Sequence, residues 1–557
     1  VLERHYRAYA PLLGKEKSLL VRSKTPLEVG DRIICKVTKW QVDKESIEGE
    51  LTRRFGHISD AMIDIDAAIE EFELPTNFTQ EALDEAKAYG KKVSSKDVAG
   101  RLDLTEDETV TIDPDTARDY DDAISLTLDE KGHFHLGVHI ADVAHYVKAG
   151  SHLDKDAYLR SNSTYFPGRC VPMLPEELSN ELCSLKANVK RLTMSVLAEF
   201  DPKGNLVQHK ITRSVIKSQK RFTYKEALEV IEGRKKSTHA PLLQRMVSLC
   251  HLLKQKRFER GSIEFAMPDN VLMIDDKGMP KGMERVEYDI THQMIEEFML
   301  KANELVALHL SKHVKQLIYR IHEAPSPESF DEFYAFARSL GFHVPANPTS
   351  QDIQTLFQEA KSSPLMPQLS IRFIRSMRLA QYSSDNIGHY GLALEHYCHF
   401  TSPIRRYTDL IIQRLLTDEL PEGFDLSVTA LACSTKERLS FKAESSVVTL
   451  KKLRFANLHF QEDPTRIYKA IVTRIKPFAL FFEVPELDLE GSLHISEIGN
   501  DYYEFNPRTL TMRGSRTGKT YKSGDPIEVR IDKIDFILQE NKWSLTGPPR
   551  TPRPKKS

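Results

Sequence analysis

Thr111-Ile-Asp-Pro-Asp-Thr-Ala-Arg-Asp-Tyr-Asp-Asp-Ala123 places five aspartates, Asp113, Asp115, Asp119, Asp121 and Asp122, within ten positions, between apolar Val110, Ile112, Ala123 and Ile124. Like charges this close repel, and the usual compensation is a hard divalent cation held by carboxylate oxygens. An acidic surface loop is the plain alternative. Against it, the run follows a strand-like apolar segment and leads into alternating Ile124, Leu126 and Leu128, where unpaired charge is costly. A helix-loop-helix calcium site fits poorly: the sixth position from Asp113 is Arg118 rather than Gly, and the twelfth is Ile124 rather than Glu. The pattern predicts a catalytic Mg²⁺ site on a loop between buried strands.

At 557 residues the chain should hold three or four domains. An apolar fraction of 40% and a charged fraction of 28% describe an ordinary globular protein. The sequence has no run of 18 apolar residues, so a helical membrane span is not expected. The first residues, Val1-Leu-Glu-Arg-His-Tyr6, lack Met and resemble no secretory signal, which fits a chain trimmed at its N-terminus. Six scattered cysteines without a CxxC pair argue against a zinc ribbon or disulfide framework and suggest a reducing cytoplasm. The net charge of −2 gives no hint of a nucleic-acid partner, although overall balance can conceal a basic channel.

Residues 1–60 carry short β-like runs, Arg32–Trp40 and Gly49–Gly56, that suggest a small OB-type barrel. Lys36, Lys39, Trp40, Arg53, Arg54 and Phe55 are candidates for a stacking, phosphate-tracking face. Residues 61–95 turn helical, with a break at Leu74-Pro75. From about 100 to 455 strand patterns come first (134–141 and 193–200) and long helices later (287–312, 369–383, 405–418 and 434–458), which predicts an α+β domain. Short strands return over 465–547, at 468–475, 478–484, 491–495 and 527–531. Simple alternation there puts Phe478 and Phe482 on one face and Phe481 on the other, unless a turn intervenes. The tail, Pro548–Ser557, has four basic residues and no acid and should be disordered.

A second chemical segment is Phe400-Thr-Ser-Pro-Ile-Arg-Arg-Tyr-Thr-Asp409. Pro403 suits the first turn of a helix capped by Thr401 or Ser402. The free N–H groups of that turn, with Arg405 and Arg406, would receive a phosphate. The plain alternative is a capped helix with two solvated arginines.

The acidic stretch and His399–Tyr407 together resemble the RNB (ribonuclease II) superfamily of 3′→5′ exoribonucleases, and the Phe400–Tyr407 form is closer to its ribonuclease R branch. Gly137–Val143, Thr164–Gly168, Val171–Ser179, Leu182–Leu185, Ile295–Met299, Tyr319–Glu323 and Tyr390–Leu394 agree, in order, over essentially the whole chain. The resemblance implies a multidomain chain: a cold-shock-like OB barrel (1–65), a helical connector (66–98), a large α+β RNB catalytic domain (99–460), an S1 (OB) barrel (465–547) and the basic tail (548–557). It implies a hydrolase releasing nucleoside 5′-monophosphates from single-stranded RNA 3′ ends with two Mg²⁺ ions, Mn²⁺ being the substitute, as a cytoplasmic monomer. Asp113, Asp119, Asp121 and Asp122 would be the metal carboxylates, with either Asp121 or Asp122 the most sensitive; Asp115 receives no role. Tyr165 would hold the terminal nucleotide, Arg405 and with it Arg406 would meet the phosphate, and Glu444 would be a downstream acid of the centre. Glu296 or Glu297 would contact substrate, and Phe478, Phe481 and His494 would stack on RNA. His139, His145 and His399 are read as hydrogen-bonded core residues. The sequence departs from the family at Ala479, where S1 barrels commonly have Gly, and in a longer insert at 508–522. Having one barrel before the connector and a short tail, it makes duplex unwinding a weaker implication than single-strand digestion. The contrary readings are an RNB-type scaffold without activity and a Mg²⁺ phosphoesterase for small nucleotides; the intact aspartates oppose the first and two OB-like units oppose the second.

Overall fold

The computed structural model describes residues 4–14, 17–40, 46–263, 269–345, 348–363, 365–499, 501–507 and 509–546. The tail at 548–557 therefore lies outside the described residues.

The catalytic region is built on a seven-stranded mixed sheet. Its strands run in the order Lys220–Thr223, Thr109–Asp113, Asp122–Leu128, Phe134–Ala141, Lys190–Phe200, Leu206–Lys217 and Leu102–Leu104. The two outermost pairings are parallel and the rest antiparallel. Period-2 alternation divides the side chains between two cores. Ile124, Leu126, Val138 and Ile140 face the helices Ala240–Glu259 and Ile290–His313, against Leu249, Met294 and Phe298. Ala123, Ala141 and Leu192 face the other way, against Val143, Leu178, Ile404 and Ile411. Gly137 is required on this second face: a Cβ there would lie 2.4 Å from Ser125 Oγ and 2.7 Å from His139 Nε2. His139 fills that space, bonded to Ser125 and Ser195, and burial lowers its pKa to about 4. His399 is half-buried, bonded through Nδ1 to the Tyr382 hydroxyl, and His145 is bonded to Asp97 and Arg101. All three are hydrogen-bonded structural histidines.

The N-terminal strands form a four-stranded sheet in the order Arg4–Ala8, Ser18–Ser23, Ser46–His57, Asp31–Lys39, with the middle pair parallel. The basic residues expected to track phosphate are partly paired: Arg54 with Asp31, Arg53 with Glu70 and Lys39 with Glu48. Trp40 is exposed. The connector contains the helices Asp64–Glu71 and Gln80–Ala88, interrupted around Leu74-Pro75.

The C-terminal unit is a five-stranded sheet ordered Leu489–His494, Ala479–Val484, Tyr468–Lys476, Pro526–Asp535 and Glu540–Leu545. The insert folds as a small sheet of three strands, Tyr503–Asn506, Thr511–Gly514 and Thr520–Tyr521. Simple alternation fails for the phenylalanines. Pro477 and Phe478 make the turn that precedes the strand, so Phe478 is exposed while Phe482 is buried against Trp543.

Two helix expectations are corrected. The predicted 369–383 helix is Met366–Ser376; the chain then extends and Gln381–Ser383 pairs as a strand with Tyr319–Ile321. The predicted 434–458 helix is longer, Leu426–Glu462, 37 residues and about 55 Å at ~1.5 Å per residue. This helix packs in turn against all three units. Cys433 lies in the catalytic core, Val447 beside Phe72 of the connector, and Leu453 and Ala456 in the C-terminal core.

Between these contacts sits a buried ionic cluster. Asp64 Oδ1 and Oδ2 accept from Arg454 at 2.7 and 2.8 Å, and Oδ2 also lies 2.8 Å from Lys451 Nζ. Lys451 further donates to the carbonyls of Ala61 and Gly278, so one ammonium ties the connector and the Asp269–Val286 hairpin to the long helix. Removing one member of such a cluster leaves uncompensated buried charge. Asp64→Ala should therefore destabilise the protein by about 3–5 kcal/mol, read as a lower thermal midpoint; an unchanged midpoint would mean the cluster holds nothing together.

Candidate active site

The acidic loop joins two neighbouring antiparallel strands, Thr109–Asp113 and Asp122–Leu128. Val110 pairs with Ile124, and continuing that register sets Asp113 across from Asp121. Three acids thus collect at one end of the sheet because strands deliver them there. The loop is pinned from outside: Ser184 Oγ accepts from the Tyr120 N–H and donates to the Arg118 carbonyl, Leu185 N–H donates to the Tyr120 carbonyl, and Arg221 donates to the Pro114 carbonyl.

The Phe400–Asp409 segment meets this loop. Ile404 N–H donates to Asp121 Oδ1 at 2.8 Å, and Arg405 Nε lies 3.7 Å from Asp121 Oδ2. The same segment is stitched to the stretch that precedes Tyr165: Ser163 N–H donates to the Arg405 carbonyl and Tyr407 N–H to the Ser161 carbonyl. Tyr165, partly exposed, donates its hydroxyl to Asp119 Oδ2 at 2.7 Å. Acids, arginine and tyrosine therefore converge from three separate parts of the chain.

The electrostatics follow from burial. Asp113 is 9% exposed and its Oδ2 has no hydrogen-bond partner among the described residues. Desolvation, then the neighbouring Asp122, pushes its pKa up to about 8. Desolvation raises Asp122 to about 6, with Arg405 opposing the rise. Asp121 is also pushed well up by desolvation, partly offset by Arg405. An orphaned buried carboxylate oxygen among all-oxygen donors suits a hard divalent cation. The cluster is open: among the described residues, the one trio of metal-type ligand atoms within 4.8 Å of each other lies elsewhere, at Asp129, His133 and Glu199.

Several expectations about the second segment are overturned. Pro403 does not begin a helix; residues 403–405 form a turn and the helix starts later, at Tyr407–Leu416. Its N–H groups are not free for phosphate, because Ser402 N–H is taken by Asp409, Ile404 N–H by Asp121, and the Arg405 and Arg406 N–H groups by the Ser402 carbonyl. Arg406 is not beside the acids: its guanidinium binds Asp409 at 2.7 Å. Of the paired glutamates, Glu297 is buried against Arg257 at 2.6 Å, whereas the Glu296 side chain is 42% exposed and accepts from the Tyr288 hydroxyl. Glu444 is half-buried, which raises its pKa, and stands one turn beyond Ser440, whose hydroxyl bonds Thr164 and Asn162. Asp115 is exposed.

Tyr224 was missed from the sequence. It begins the helix Tyr224–Ile231, stacks on His292 at 4.0 Å, and lies near enough to Asp122 and Asp113 that they add to the desolvation raising its hydroxyl pKa. Only its position after Thr223, a capping residue at the end of a strand parallel to Thr109–Asp113, could have pointed to it.

On the C-terminal sheet, Phe478, Phe481 and His494 all reach the outer surface. Arg474 sits over the Phe481 ring at 4.4 Å and Lys476 near the Phe478 ring at 5.9 Å.

Three family models match the chain: an RNB domain over residues 101–422, a cold shock domain over 17–79 and an S1 RNA binding domain over 464–536. Ribonuclease R of Chlamydia pneumoniae is 41% identical over 549 residues, covering 97% of this chain and 80% of the relative. Mycoplasma genitalium RNase R in complex with ribose methylated single-stranded RNA is similar at a TM-score of 0.87 and 27% identity, covering 95% of this chain and 85% of that one. The yeast pseudonuclease Ssd1 shares the fold at a TM-score of 0.73 and 18% identity, over 89% of this chain and 64% of that one.

Raised carboxylate pKa values carry a stability signature. The folded metal-free protein holds protons on Asp113 and Asp122 that the unfolded chain releases near pH 4, so their destabilising effect grows as pH rises above about 4 and levels off above about 6 for Asp122 and about 8 for Asp113. Asp113→Asn should therefore melt above wild type in EDTA at pH 8, with the gap closing toward pH 4 and on adding Mg²⁺. A pH-independent gap would contradict this electrostatic account.

Proposed function

The chain belongs to the ribonuclease R family of RNB-domain exoribonucleases, and from that premise we propose that it hydrolyses the last phosphodiester at RNA 3′ ends and releases nucleoside 5′-monophosphates. The observation that carries the reading is the approach of Arg405 to Asp121, with Ile404 N–H fastening the same carboxylate. A guanidinium beside an acid cluster is an arrangement suited to a phosphate held between cation and carboxylates.

Enzymes of the RNB family depend on divalent metal, and Asp113, Asp119, Asp121 and Asp122 would hold it here as two Mg²⁺ ions, with Mn²⁺ able to substitute. Once bound, such ions lower the pKa of water and neutralise charge on a leaving oxygen. The chain's own groups do the positioning. Arg405 contacts the scissile phosphate, and Tyr165, fixed by its bond to Asp119, stacks under the terminal base. Arg406 supports Arg405 only indirectly, by locking the turn through Asp409. Glu296, the more exposed of the two glutamates, is the acceptor for a 2′-hydroxyl, and Tyr224 stacks on His292, one helical turn before it. Glu444 is an outlying acid of the centre. Phe478, Phe481 and His494, with Arg474 and Lys476, feed single-stranded RNA toward it, each stacked base contributing ~1–3 kcal/mol.

Acids, arginine and tyrosine meet without a residue from a second subunit being needed, and we read the protein as a monomer. Six free cysteines fit a reducing cytoplasm, and no helix among the described residues is long and apolar enough to cross a membrane. A pseudonuclease can keep this fold, but the four aspartates and Arg405 stand together here, which favours an active enzyme.

With 3′- and 5′-labelled RNA and Mg²⁺, the wild type should release label as mononucleotide from the 3′ end alone, and Asp121→Asn should abolish it. Endonucleolytic fragments, or an active Asp121→Asn, would sink the assignment. Arg405→Ala should lower kcat by about 10²–10³, the cost of losing one donor to developing charge, with a much smaller change in KM; unchanged turnover would remove Arg405 from the site.

A further inference from the structure

The hairpin turn after Asp122–Leu128 gathers side chains that RNA hydrolysis does not use. Asp129 opens the turn, and His133 and His135 close it on either side of Phe134, which is buried at 8%. Alternation therefore sends both imidazoles to the opposite face. Glu199 stands directly across from His135 on the neighbouring strand, and Gln208 across from Glu199 on the next.

Each carboxylate is oriented by groups that leave one oxygen available. Asp129 Oδ1 accepts the N–H groups of Lys131 and His133, while Oδ2 faces His135 Nε2 at 3.3 Å. Glu199 Oε2 accepts from Gln208 Nε2, while Oε1 faces His133 Nδ1 at 2.7 Å. One ligand atom from each of Asp129, His133 and Glu199 lies within 4.8 Å of the others. Four tetrahedral ligands at ~2.0–2.2 Å from an ion stand about 3.3–3.6 Å apart, so small rotations of surface side chains suffice.

We propose that Asp129, His133, His135 and Glu199 form a structural site for a divalent ion of the zinc type. Two imidazoles with two carboxylates suit Zn²⁺ and its transition-metal neighbours, whereas Mg²⁺ prefers oxygen alone. The Gln208 amide and the turn N–H groups supply the outer hydrogen bonds that fix ligand orientation. The site is separate from the acid cluster: the strand Asp122–Leu128 lies between them, about 23 Å at ~3.3 Å per residue. Bound there, the ion clips the 129–133 turn to the strand Lys190–Phe200 and stabilises the folded sheet by mass action.

The test is calorimetric titration of Zn²⁺ into the full chain with Mg²⁺ at saturation, comparing wild type with His133→Gln and Glu199→Gln. Wild type should show one binding event that weakens about tenfold or more in each variant, since loss of even a ligand-orienting partner costs 10–100-fold. A Co²⁺ visible absorption band should vanish in parallel, and both variants should release mononucleotides from RNA at the wild-type rate without zinc, confirming that they fold. Equal zinc affinity in all three proteins, or no zinc event in wild type, would overturn the proposal.

Discussion

The contact on which the catalytic region turns is the bond from Ile404 N–H to the buried carboxylate of Asp121. It joins residues more than 280 positions apart and does two jobs. It satisfies part of a carboxylate that burial would otherwise leave costly, and it sets the position from which Arg405 faces the acids. Asp113 is buried and Asp122 half-buried beside it, both with raised pKa values, so the site is electrostatically unfavourable without a cation. The core around the site pairs its own buried charge. Arg414, buried at the end of the Tyr407–Leu416 helix, binds Asp154 at 2.7 Å, and Tyr407 donates to the same carboxylate.

The Leu426–Glu462 helix gives that site its setting. A helix of this length has no single apolar stripe, because it serves three cores in succession along its axis. Where it passes the connector, packing gives way to charge. Asp64 accepts both Arg454 and Lys451, a directional arrangement that fixes rotation as well as distance. The apolar contacts around Ala443 and Val447 are non-directional, whereas the ionic cluster sets specific donor–acceptor pairs. Tyr165 depends on this register, since Ser440 bonds Thr164 immediately before it.

Much of this was legible in the sequence where local pattern and global role coincide. The acidic stretch reads as a loop between strands because Val110, Ile112, Ile124 and Leu126 alternate into one core, and it is such a loop. Motifs separated by hundreds of residues were recognisable as a set, and the structure brings Asp121, Arg405 and Tyr165 into one neighbourhood. The failures were local. Pro403 signals a helix start, yet tertiary demand on the Ile404 N–H holds residues 403–405 in a turn and delays the helix to Tyr407. Period-2 reading misplaced Phe478 because a turn at Pro477 breaks the count. Tyr224 offers no local signal at all; its significance comes from the parallel pairing of Lys220–Thr223 with Thr109–Asp113, a contact between segments 110 residues apart.

The same tertiary demand explains why two adjacent arginines have different fates. Arg406 has extended backbone angles, φ −134° and ψ 123°, immediately before the helix. Arg405, the last residue of the turn, points to the acids with its side chain 42% exposed, able to meet a ligand, while Arg406, already extended, turns inward to Asp409 near Tyr382 and Tyr397. Asp409 also accepts the Ser402 N–H, so the inward arginine braces the turn that presents the outward one. A helix beginning at Pro403 would have spread both guanidiniums around a helical surface and left neither fixed. The delayed helix start is thus the structural cost of aiming a single guanidinium at a buried carboxylate.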